Sequence, residues 1–326
     1  MNRWLALWAV AIAWGTIVPH ARADESVWKQ LPETVGEKAS RLPNWAKVFA
    51  GPLPRTTAAM LELDWIQRTK SPLDPKLRAK VRWAAARANR CAYGKQTALD
   101  DFRKAGGTED DVRILTDEPE KLPAVEQLAV RFATDLTKRG SSITDKEFER
   151  VRKAFGDADT VAIVLCVAYA NFQDRLILSY GIPLEESGPL PPLAVRFKSP
   201  FAGNEGKPRS LPENPPKDGP PAKVVDSEWL QVESPAIRAA MESQKAREPR
   251  VPVPTFDEVK AKAPPNSFPP GRTLKINWSL VCMGYQPELA GAWIKCLRTF
   301  EAESKQDRVF EDCLFWVVTR SIDCFY

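Results

Sequence analysis

The segment from Gly51 to Tyr93 slides without gaps onto Gly284 to Tyr326. Gly51 meets Gly284, Pro54 meets Pro287, Ala59 meets Ala292 and Ser71 meets Ser304. Asp74 meets Asp307, Trp83 meets Trp316, Arg87 meets Arg320, Cys91 meets Cys324 and Tyr93 meets Tyr326. A self-match of this kind implies one structural unit used twice. The first copy continues beyond the match with about ninety residues of helical pattern. The second copy is expected to be incomplete, cut at its cysteine.

The start of the chain has the pattern of an export signal. Arg3 supplies positive charge, Trp4 to Val18 is apolar, and Ala21-Arg22-Ala23 fits a small-x-small cleavage site. The apolar run falls short of the roughly 20 residues that span a bilayer. Cleavage after Ala23 and a periplasmic or extracellular location are therefore expected. The single histidine, His20, lies within that signal. A mature chain without histidine has no Ser-His or Cys-His nucleophile pair, no histidine base and no histidine metal ligand. The formal charge is +5, with both signs interspersed, so no nucleic-acid surface is expected. The longest apolar run after the signal, Val161 to Ala170, is too short to cross a membrane and reads as the centre of a buried helix.

Helical signals dominate, and no strand alternation stands out. Asp74-Pro75 is an N-cap followed by proline at the first helical position. Leu77, Val81, Ala84, Ala85 and Ala88 then repeat at three- and four-residue spacing. Thr108 opens a short helix, and Thr144 to Glu147 is a capping box. Val161 to Tyr180 is the most apolar helix, closed by Gly181 and Pro183. These features give an all-α fold with a first helical domain over 24–186, a proline-rich linker over 187–224 and a second domain over 225–326. In the second domain Leu289, Trp293, Cys296 and Leu297 share one face, and Phe310, Leu314, Val317 and Val318 another.

All six cysteines follow the signal, scattered through helical patterns, and no Cys-x-x-Cys pair is present. No metal site of that kind and no cofactor is expected. Around Cys91, LDPKLRAKVRWAAARANRCAYGKQTALDDFRKAGG resembles the signature of the carboxymuconolactone decarboxylase family, whose redox branch is the alkylhydroperoxidase D proteins. Leu128 to Leu184, with Asn171 and Arg175 in NFQDR, is similar to the helices that follow in that family. The tail FEDCLFWVVTRSIDCFY resembles the same motif in exported two-copy members.

The resemblance implies an alkylhydroperoxidase D-like helical bundle followed by a second, truncated copy. It implies peroxiredoxin-type thiol peroxidase ancestry, an external thiol reductant and homo-oligomers, trimers or hexamers. In the redox branch a glutamate, two cysteines and a histidine do the chemistry. The first copy places Ala79, Cys91, Gly94 and Ala98 at these four positions, so only one of the four groups survives. The second copy places Asp312 at the glutamate and Cys324 at the first cysteine. Cys91, Cys324 and Asp312 are the candidate catalytic residues.

A thiol at a helix N-terminus is expected to have a lowered pKa, and Asn89 and Asp323 stand near the two cysteines. Without a second thiol one turn away, Cys91 would stop at a sulfenic acid. It reads either as a packing residue at a helix junction or as a reactive thiol. Asp312 reads either as a proton-transfer group or as an exposed acid, Trp83 and Trp316 as packing anchors rather than a substrate platform, and Arg87 and Arg320 as helix–helix ion-pair partners or pocket-lining residues, the ion pair being the safer reading. The function expected is a peroxidase relative, weakly active or inactive, or a non-catalytic helical oligomerisation or binding module. Leu314, Trp316, Val317 and Val318 lack covering helices in the sequence that follows, so the C-terminal region is expected to pack on the first copy, to oligomerise or to be unstable.

Overall fold

The structure is a computed structural model, described over residues 20–31, 34–36, 41–197, 234–263, 268, 273–304 and 306–321. The chain runs through α1 (His20–Gln30), β1 (Thr34–Gly36), α2 (Asn44–Ala50), α3 (Pro54–Thr69) and α4 (Pro75–Ala88). It continues with α5 (Ala92–Lys104), α6 (Glu109–Asp117), α7 (Ala124–Arg139) and α8 (Asp145–Ser179). After β2 (Val195–Phe197) come α9 (Ser234–Lys245), α10 (Phe256–Lys262), α11 (Asn277–Tyr285), α12 (Pro287–Ser304) and α13 (Arg308–Ser321).

Among the described residues the fold is all-α, with one short ribbon in which β1 pairs antiparallel with β2 and Val35 lies opposite Arg196. Sequence patterning missed this pair because three residues are too few to establish alternation. Val195 and Phe197 point into the core and Arg196 points out. Leu193, Val195 and Phe197 are buried with α2 and α3. The first helical unit thus extends past its expected end at residue 186 and takes in the first part of the proline-rich stretch.

The helix starts expected from sequence are present. The Asp74 carboxylate accepts from Leu77 N at 3.0 Å, and Thr108 and Thr144 form capping boxes with Asp111 and Glu147. In α8 the regular dihedrals break at Gly156 (φ 75°), a conformation open to glycine at little cost. This helix is long and apolar enough to cross a membrane by length and composition alone. Its apolar positions form the core instead, with Ile163, Cys166, Val167 and Ala170 packed against Val81, Ala84 and Phe132 of α4 and α7.

A second cluster brings α12 against α3: Leu289, Ala292 and Cys296 are buried with Ala58, Ala59 and Leu63. α3 is therefore enclosed by α2, β2 and α12, and is buried from Thr56 through Leu63 and Asp64 to Arg68. Glu303, near the end of α12, accepts from the backbone N–H groups of Arg55 and Thr56 at 2.9 and 2.7 Å. A carboxylate there satisfies two orphan donors and complements the helix dipole. α2, α3 and α4 start at Asn44, Pro54 and Pro75, and α11, α12 and α13 start at the matched positions Asn277, Pro287 and Arg308. The caps correspond too: Asp307 accepts from Phe310 N at 3.0 Å, as Asp74 does from Leu77 N.

Candidate functional site

Cys91 sits where α4 gives way to α5. Arg90 takes the left-handed conformation (φ 59°), and the Cys91 N–H closes on Ala86 O at 2.9 Å. Cys91 is the N-cap of α5, and its Sγ accepts from Gly94 N at 3.3 Å. The residue is fully buried. Burial and then the negative charge of Asp174 push the thiol up to about 11, outweighing the bond from Gly94. The lowered pKa expected of a helix N-terminus is thus reversed, because a thiolate here loses its solvation and faces a carboxylate.

The other motif positions are closed. A Cβ at Gly94 would lie 2.2 Å from Asp174 Oδ1 and 2.9 Å from the Ala86 Cβ. Asp174 is held there by Asn89, whose Nδ2 donates to Asp174 Oδ2 at 2.9 Å and to Asn171 Oδ1 at 2.8 Å. Ala98 is buried in the α4–α7–α8 core. Ala79 lies in a small apolar cluster with Phe102 and Val112. Burial raises the Asp174 carboxyl above its usual range, against the bond from Asn89. Asp174 occupies the space that a side chain at position 94 would need.

Next to Cys91 a buried ionic network links α3, α4, α5 and α8. Arg68 forks onto Asp101 at 2.9 and 2.6 Å and reaches Asp64 at 3.2 Å. Asp64 Oδ1 also accepts from Tyr169 at 2.7 Å and Gln173 at 3.3 Å. Arg82 donates to Gln173 through one Nη, while the other lies 4.0 Å from both Asp64 and Asp101 without a hydrogen bond. Burial alone would raise the Asp64 carboxyl; the charges of Arg68 and Arg82 and the bond from Tyr169 outweigh it and hold it below the usual range. The space beside these groups is only about 10 Å³, room for one water and none for a substrate.

Residues 54–135 match the carboxymuconolactone decarboxylase family. The matched region begins at the first residue of α3 and ends within α7. No curated protein and no solved structure matches the chain. The matched region thus contains Ala79, Cys91, Gly94 and Ala98, together with Asp64, Arg68, Arg82 and Asp101.

Asp312 is exposed on α13, away from Cys91 in the sequence and outside the matched region. Cys324 lies outside the described residues, as does Asp323. Trp83 is buried, as expected of an anchor, whereas Trp316 is half exposed. Arg87 stacks over Trp83 with its guanidinium 5.2 Å from the ring centre, so its contact is cation–π where an ion pair was expected. Arg175 is exposed, and its neighbours Gln173 and Asp174 make the buried contacts. Sequence reading missed Asp174, Gln173, Asp64, Arg68, Arg82 and Asp101. For Gln173 and Asp174 the available signal was polar side chains inside the most apolar helix, which must find partners when buried.

Proposed function

We propose that this chain is a non-catalytic helical module of thiol-peroxidase ancestry, built on a carboxymuconolactone decarboxylase domain that turns over no peroxide at Cys91. The observation that carries this reading is the place of Asp174: its carboxylate fills the volume of a second thiol at position 94 and disfavours a thiolate at position 91. At a pKa of about 11 the thiolate fraction at pH 7 is on the order of one in ten thousand. A peroxidatic cycle also needs a resolving thiol and a proton donor, and Gly94, Ala98 and Ala79 supply neither.

The chain is further proposed to hold a second copy of the unit from α11 onward, with α12 seated on α3. The matched helix starts and the matched Asp74 and Asp307 caps support this. Export, and assembly of the module into homo-oligomers, complete the reading. The Arg3-to-Ala23 pattern supports export, and the family resemblance supports assembly.

The test is hydrogen peroxide consumption by the purified chain with dithiothreitol as reductant. The expected rate is the background rate, the same in wild type, Cys91→Ser and Cys324→Ser. Turnover abolished by either substitution would overturn the reading and restore that cysteine as a catalytic thiol.

A further inference from the structure

Residues 183–192 form a strap between the end of α8 and β2, lying against part of the ionic network. Leu190 and Pro191 of the strap wall the space of about 10 Å³ that also meets Asp64, Arg68, Arg82, Tyr93 and Thr97. The strap leaves α8 through Gly181 (φ 58°) and turns at Gly188 (φ 84°), and an added Cβ at either would meet nothing within 4 Å. Its two ends are pinned, Ile182 and Leu193 being 7% and 4% exposed. Between them only Glu185 is buried.

Side chains hold the strap down. Glu185 Oε1 accepts from the Tyr93 hydroxyl at 2.5 Å and from the Asn44 N–H at 2.7 Å. Asn44 Nδ2 donates to the carbonyls of Pro183 and Leu184 at 3.3 and 3.1 Å, and Arg68 Nη2 donates to the Leu190 carbonyl at 3.0 Å. The strap backbone adds no ladder. Among the described residues its one backbone–backbone bond runs from Gly188 N to Glu185 O, within the strap itself. Four of its ten residues are prolines, which have no N–H to give. Bonds to a charged carboxylate are the strong ones, so Glu185 is the main fastening. A segment with one buried side chain and no ladder opens at a lower free energy than the core beneath it.

We propose that residues 183–192 are a latched cover over the charged cluster. With Glu185 seated on Tyr93 and Asn44, the cover shuts the cluster from solvent. When that carboxylate lets go, the strap lifts between Ile182 and Leu193 while the helical core stays folded. Lifting takes the Leu190 carbonyl from Arg68 and the Glu185 carboxylate from Tyr93. A guanidinium and a phenol then face water in a cleft that admits small solutes. The cover does not depend on whether Cys91 is reactive.

The experiment is phenylglyoxal labelling of the full chain, with modification of Arg68 followed by peptide mass mapping. The Arg68 side chain is 6% exposed, so labelling needs an opening and its rate follows the open population. Iodoacetamide labelling of Cys166, buried in the α4–α7–α8 core and not on the space under the strap, reports global opening in parallel. Glu185→Ala should speed Arg68 labelling at least tenfold, the loss of about one charge-assisted bond, and leave Cys166 at the wild-type rate. Tyr93→Phe keeps the ring, removes one of the two bonds and should speed Arg68 labelling about fivefold. If Glu185→Ala loses the helical circular dichroism of the parent, Tyr93→Phe decides by the same two readouts. Arg68 labelling that stays at the wild-type rate, or that rises only in step with Cys166, would overturn the cover.

Discussion

Glu62 Oε2 receives a hydrogen bond from Lys295 Nζ at 2.7 Å, and these two residues align when 51–93 is laid on 284–326. A residue that meets its own counterpart lies on the local two-fold axis relating two packed helices. Glu303 at the N-terminus of α3 fixes the sense: as α12 advances from Lys295 to Glu303, α3 retreats from Glu62 to Thr56. The helices run antiparallel, and Ala59 and Ala292, also matched in the repeat, are both buried at the contact. A like pair of α3 helices would set Glu62 against Glu62. Lysine at the aligned position 295 turns that repulsion into an attraction and favours pairing within one chain.

Lys295→Ala should therefore destabilise the chain by about 3 kcal/mol, because the buried Glu62 would lose the ammonium that pairs with it. Lys295→Glu should cost more, and exchanging the two charges (Glu62→Lys with Lys295→Glu) should recover part of the loss. Urea denaturation of the four proteins measures this. Equal stability of Lys295→Ala and wild type would show that the pair contributes nothing.

Gly94→Cys should destabilise and should not create a disulfide with Cys91. Its Cβ would stand 2.2 Å from Asp174 Oδ1, so Asp174 must move and leave Asn89. A cost of about 1 to 3 kcal/mol, typical of overpacking, is expected, largely relieved by adding Asp174→Gly. Thermal melts of the single and double variants provide the readout.

Stability should fall as the pH rises above about 9. Burial raises the folded-state pKa of Cys91 and Cys166 to about 11 and that of Cys296 to about 12, from an ordinary value of 9.0. Between these limits the unfolded chain has released thiol protons that the folded chain retains. The unfolded state binds fewer protons there, so the slope of unfolding free energy with pH is negative. Replacing Cys166 by alanine should flatten part of that slope in denaturation curves taken from pH 8 to pH 11.

On α13, Val309 and Phe315 are 70% and 68% exposed, and Leu314, Val317 and Val318 of the same helix are exposed too. Val309→Lys with Phe315→Lys should change stability by no more than about 0.5 kcal/mol each, the usual range for surface positions. It should also reduce self-association and dye binding by exposed apolar surface. Light scattering against concentration, compared with wild type, checks the effect.

Much of the local structure was readable from the chain. Asp74-Pro75, Thr108 and Thr144 named their own helix starts because capping is a contact within four residues. The alignment of 51–93 with 284–326 sets the starts of α12 and α13 at the positions of those of α3 and α4. The motif positions Ala79, Gly94 and Ala98 showed which chemistry had lost its side chains. The behaviour of Cys91 was not readable in the same way. Its helix N-terminus suggested an acidic thiol, and only the fold brings Asp174, more than eighty residues later, against it and excludes water. The strand Val195–Phe197 escaped notice because its partner lies in a distant segment and its length carries no period. The seating of α12 on α3, the Glu62–Lys295 contact and the strap held by Glu185 likewise belong to the tertiary structure. Helices, caps and repeats are set by near neighbours in the chain. Solvation, pKa and cavity shape are set by which distant side chains meet, and that is settled only when the whole core closes.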